Sequence, residues 1–117
     1  MKSLKDKFKP AFHGLRLLMK DPSMRIQFTI ALLVSLFAFL LGFDKIEWCV
    51  LILTFVLVLV SEAINTCIEK ICDLIDLEVN PSIGRIKDMS AGFVLIVSIA
   101  SVLIGAILFG TKLLGCF

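Results

Sequence analysis

The chain has 117 residues, 59% of them hydrophobic, with twelve basic against ten acidic side chains and a net charge of +2. A mean hydropathy of +1.03 at that length excludes an ordinary water-soluble domain, and the expectation is one membrane-embedded unit over 1–117. The basic residues adjoin apolar stretches and form no nucleic-acid-binding motif, so nucleic acid is not an expected partner.

The first element is expected over 1–24. Leu4, Phe8, Ala11, Phe12, Leu15, Leu18 and Met19 recur at helical spacing with lysines between them, the pattern of a basic amphipathic helix lying on the cytoplasmic leaflet. Pro10 either splits that helix or begins its main part. About 25 charged, interrupted residues precede any apolar run, unlike a cleavable signal peptide. Asp21-Pro22-Ser23 marks a break.

Three membrane helices are then expected, over 26–43, 46–76 and 86–113, giving an all-α membrane protein. The uncharged run from Ile26 is 18 residues long and the run from Met89 is 23, so each is long enough for a hydrocarbon core about 30 Å thick. The middle stretch is uncharged from Trp48 to Ser61 and spans if its polar continuation is sheltered. A soluble bundle would keep a polar face, yet Phe28 to Phe43 offers only Thr29, Ser35 and a glycine as relief. A loop is expected around 77–83, where Pro81 excludes Asn80 as a glycosylation acceptor. Ten basic residues lie before the first span or around the second loop, and only Lys45 and Lys112 lie on the other side. That asymmetry places the N-terminus and the Glu69 end in the cytoplasm and the C-terminus outside.

Cys49, Cys67, Cys72 and Cys116 lack CxxC or metal spacing and read as small hydrophobes. Ala31 and Ser35, and Ser101 and Gly105, are small-residue pairs of the kind that lets membrane helices approach closely, a weak sign of oligomerisation.

The chemistry is expected on the second membrane helix. Glu62 lies 14 residues beyond Trp48, about 21 Å along a helix and therefore still near or inside the apolar slab. At about 100° per residue, Glu69 and Asp73 return to within about 20° of it, and Asn65, Thr66 and Asp76 fall within about 60°. Carboxylates at membrane depth are costly and imply a function. The acidic stripe, joined by Asp88, exceeds what Lys70 and Lys87 can offset, which suits a divalent cation. Oxygen donors without a thiol or histidine cluster favour Mg²⁺, which commonly binds one or two carboxylates together with nucleotide phosphates. A deeper carboxylate at the level of a lipid hydroxyl is placed to accept or orient its proton. Gly105 and Gly110-Thr111-Lys112 only superficially resemble a phosphate loop, since the order is wrong and the position is on the far side.

The run Glu62-Ala63-Ile64-Asn65-Thr66-Cys67-Ile68-Glu69-Lys70-Ile71-Cys72-Asp73, followed by Gly84-Arg85-Ile86-Lys87-Asp88-Met89 and preceded by His13-Gly14-Leu15-Arg16, closely resembles the signature of the small prokaryotic diacylglycerol kinase family, which also contains the undecaprenol kinases. The resemblance extends over nearly the whole chain. It implies a homotrimeric lipid kinase of the cytoplasmic membrane, with composite sites at subunit interfaces on the cytoplasmic side, that uses ATP and Mg²⁺ to phosphorylate a lipid hydroxyl. The family name favours diacylglycerol, giving phosphatidate; undecaprenol, giving undecaprenyl phosphate, is the alternative acceptor.

The same resemblance implies that Glu62 is the catalytic base and that Glu69 and Asp21 are metal ligands. It assigns nucleotide contacts to Asp21, Glu69, Asp73, Glu78, Val79, Asn80, Lys87 and Asp88. Asn65, Arg16, Arg25 and Ala91 take supporting roles at the substrate or in the structure. The chain departs from the family at Asp21, where glutamate is common, and at Val79 and Asn80, where aromatic and histidine types are frequent. A non-catalytic ion or proton transport subunit is the competing reading, but a path should cross the bilayer and the stripe stops midway along one helix. A structural membrane scaffold would not require burial of Glu62.

Overall fold

The computed structural model describes residues 3–75 and 80–115. Four α-helices carry these residues: α1 (Leu4–Leu18), α2 (Pro22–Leu40), α3 (Lys45–Ile75) and α4 (Pro81–Leu114). α2, α3 and α4 are long and apolar enough to cross a membrane, and they run up, down and up so that the starts of α2 and α4 meet the end of α3. At 1.5 Å per residue, the 34 residues of α4 reach about 51 Å, close to the 53 Å long dimension of the molecule. α3 and α4 therefore overshoot a hydrocarbon core of about 30 Å by several turns.

Local chemistry explains the helix limits. Ser3 and Asp6 form a reciprocal capping box at the start of α1. The helix then continues unbroken through Pro10 instead of dividing there, so the missing N–H is tolerated inside a short exposed helix. α1 ends at Leu18, and Asp21 with Pro22 restarts the chain as α2, four residues before the apolar run at Ile26. α4 likewise begins at Pro81, inside the stretch expected to be loop, because the Asn80 side chain accepts from the Ser82 N–H and Pro81 occupies the first helical position.

The α2–α3 connection is tightly specified. Gly42 adopts φ +74°, and the Phe43 N–H returns to the Ala38 carbonyl while the Gly42 N–H bonds that of Phe39. This paired reversal ends α2 as a Schellman motif, with Phe43 packed where Ala38 is fully buried. Asp44 and Glu47 then cap α3 reciprocally at 2.8 and 2.9 Å.

The apolar core is small and sits at this end. Ala38, Phe43 and Leu51 form it, with Trp48, Phe55, Leu108 and Phe109 packed around them, and Phe43 stacks obliquely on Phe109 at 4.9 Å. Lys112 joins Glu47 at 2.9 Å beside the Phe43 ring. Most large apolar residues of the three long helices instead face outward, as expected where lipid replaces water as the solvent. Ala31, Ser101 and Gly105 line a crevice of about 260 Å³ between α2, α3 and α4. A Cβ at Gly105 would meet nothing within 4 Å, so within the chain Gly105 leaves space and brings no backbones together. Cys49, Cys67 and Cys72 are free thiols, and Cys116 lies outside the described residues.

Candidate functional site

The candidate site occupies the opposite end of the bundle. On α3, Glu62 is 9% exposed, sandwiched in sequence between buried Ser61 and buried Thr66 one turn on. A continuous buried polar edge of this kind on an apolar helix is held by two neighbouring helices. Thr66, about 100° around α3 from Asn65, points to α2, and its hydroxyl lies 3.3 Å from Asp21 Oδ2 and 3.0 Å from the Glu62 carbonyl oxygen. Asn65 points to α4, where the Ser90 hydroxyl donates to its Oδ1 at 2.7 Å.

Each contact governs an acidic side chain. Asp21 is the N-cap residue of α2, yet its carboxylate makes no capping bond to that helix and is engaged by Thr66 instead. The Asn65 amide donates from Nδ2 to Glu69 Oε1 at 2.9 Å, one turn further along α3. Neutral donors thus hold one oxygen of Asp21 and one of Glu69. Ion pairing serves other residues: among the described residues Lys87 pairs with Asp73 at 2.6 Å and Lys112 with Glu47.

The stripe does not collapse into one cluster. Among the described residues no three His, Cys, Asp or Glu side chains gather as a metal-binding group. The donor chemistry still fits Mg²⁺, which asks the protein for one or two carboxylates and takes its remaining oxygens from phosphate and water. Asp21 and Glu69 are such carboxylates, each with one oxygen held by a neutral donor.

The remaining candidates scatter around this centre. Lys87 and Asp73 hold each other across α4 and α3. Asp88 and Ala91 are exposed on α4. Asn80 caps α4. Glu78 and Val79, with Asp76 of the stripe, lie outside the described residues. Arg16 is exposed in the last turn of α1, and exposed Arg25 in α2 contributes its carbonyl to the Thr29 hydroxyl. An open groove of about 770 Å³ separates α1 from α3, lined by Gly14, Leu15 and Leu18 on one side and by Asp21, Thr66 and Lys70 near the polar end.

Two residues of this arrangement escape a reading of the sequence for acidic motifs. Thr66 belongs to the stripe by angle, but nothing in its spacing says that it holds Asp21, 45 positions away. Ser90 is 2% exposed and stands one residue into the uncharged run of α4, where a serine reads as a small spacer.

Residues 9–109 match the family model described as prokaryotic diacylglycerol kinase, most of the chain including every described residue of the site. No curated protein matches.

Proposed function

The chain belongs to the prokaryotic diacylglycerol kinase family, and from that premise we propose that it transfers the γ-phosphoryl group of ATP to the hydroxyl of diacylglycerol, giving phosphatidate. The family consists of lipid kinases of the diacylglycerol and undecaprenol kinase type, and the three apolar helices describe a multi-pass membrane protein.

The observation that carries the reading is Glu62, a buried carboxylate on a helix whose preceding turns are apolar. An enclosed carboxylate on this helix is placed to accept the proton of a lipid alcohol. Glu62 takes the proton of the lipid alcohol as the alcohol oxygen bonds to the γ-phosphorus, while the bond from phosphorus to the β–γ bridging oxygen breaks and ADP leaves. Asp21 and Glu69 would hold the Mg²⁺ that accompanies ATP, and the ion would supply neutralisation of phosphate charge. Lys87 and Asp88 meet the nucleotide, so a phosphate oxygen competes with Asp73 for the Lys87 ammonium. The site faces the cytoplasm, where ATP is supplied, and the apolar wall of the groove between α1 and α3 gives acyl chains a route to the carboxylates.

The acceptor is tested by giving the purified chain diacylglycerol or undecaprenol separately, with Mg²⁺ and γ-labelled ATP. Label in phosphatidate is expected. Label in undecaprenyl phosphate alone would reassign the acceptor, and label in neither would remove the kinase reading.

A further inference from the structure

We infer that Ser90 is a positioning residue that orients Asn65 and, through it, presents Glu69 to the magnesium–nucleotide complex; this rests on the metal role proposed for Glu69. Three observations converge. Ser90 is the most buried polar side chain described, at 2% exposure, on a helix whose apolar span is otherwise open. Its hydroxyl donates to Asn65 Oδ1 at 2.7 Å, and Asn65 Nδ2 donates to Glu69 Oε1 at 2.9 Å. The two bonds form a directed chain running from α4 to α3 and ending on a carboxylate.

Direction is what gives the chain its effect. An asparagine amide has an acceptor end and a donor end, and either can face a given neighbour. Glu69 accepts only, so it needs the NH₂ end; the opposite oxygen then faces α4 and needs a donor. Ser90 supplies that donor within one residue of the Lys87–Asp88–Met89 segment. With both ends satisfied, one amide orientation persists and one Glu69 oxygen is held, leaving the carboxylate's other oxygen fixed in direction. Without the hydroxyl, Asn65 Oδ1 is a half-buried acceptor that has lost its donor on α4, and its side chain is released to rotate away from Glu69.

The role differs from simple packing in what it affects. A packing residue alters stability and lowers the active fraction, whereas this one changes how much Mg²⁺ is needed for nucleotide to bind. Losing one neutral hydrogen bond corresponds to about a fivefold change in an equilibrium constant.

The experiment measures direct binding of a non-hydrolysable ATP analogue to the full-length protein as Mg²⁺ is titrated, alongside lipid phosphorylation. Ser90→Ala should raise the half-saturating Mg²⁺ by about fivefold and raise KM for ATP in step, with KM for the lipid unchanged. Ser90→Thr and Ser90→Val match each other in volume at this tight site, so a difference between them reports the hydroxyl even if alanine folds poorly. Threonine should recover the wild-type Mg²⁺ requirement and valine should not. Equal Mg²⁺ requirements for threonine and valine would overturn the role of Ser90. A wild-type protein whose analogue binding ignores Mg²⁺ altogether would instead remove the metal role of Glu69, and the positioning role with it.

Discussion

The site holds a buried carboxylate, two hydrogen-bonded carboxylates and one ion pair, and they are not equivalent. Glu62 is enclosed, whereas Glu69 is exposed and accepts a hydrogen bond from Asn65. Glu69→Gln keeps the shape and the Asn65 contact but removes the charge. It should raise the Mg²⁺ and ATP concentrations needed for half-maximal lipid phosphorylation by at least tenfold, with the lipid dependence unchanged. Thr66→Val removes the hydroxyl between Glu62 and Asp21 at equal volume. A smaller effect of the same kind, about fivefold in the Mg²⁺ requirement, is expected from it in the same titration. The carboxylates were legible in the sequence because charge at membrane depth is rare and their spacing follows the helical repeat. Thr66 and Ser90 were not, because hydroxyls are common in membrane helices and their partners lie 45 and 25 positions away, a separation no local pattern encodes.

The helices themselves followed from hydropathy, and their ends followed from caps. The apolar runs locate the three long helices, but hydropathy is blind to the polar turns that extend them: α2 begins at Pro22 and α4 at Pro81, where proline suits the first helical position. Charge asymmetry likewise says nothing about the end where Glu47 serves twice, capping α3 and pairing with Lys112 of α4. Both partners of that pair are largely shielded, so removing the lysine leaves the Glu47 charge without this cation beside it. Lys112→Met should lower resistance to denaturant in detergent by about 1–3 kcal/mol, and the double change with Glu47→Gln should recover much of the loss. Gly42→Ala places a side chain on a backbone at φ +74° and should cost about 1 kcal/mol in the same unfolding measurement, with kinase activity per folded molecule retained.

For the whole molecule, the distribution of polarity separates two ends with different tasks. Aromatic packing, the Schellman turn and the Glu47–Lys112 pair gather at one end, and the carboxylates gather at the other, with sparsely covered apolar helices between. An assembly of three copies in detergent, at three times 13.0 kDa of protein by light scattering with the detergent contribution removed, is expected from the proposed family arrangement. The central claim is that Glu62 is the base of a lipid phosphoryl transfer. It is tested most directly by comparing wild type and Glu62→Gln for transfer of the labelled γ-phosphoryl group to lipid, with nucleotide binding measured on the same preparations. The variant is expected to bind nucleotide with near wild-type affinity and to lose at least a hundredfold in turnover. Turnover within a few fold of wild type in a folded, nucleotide-binding Glu62→Gln protein would contradict it.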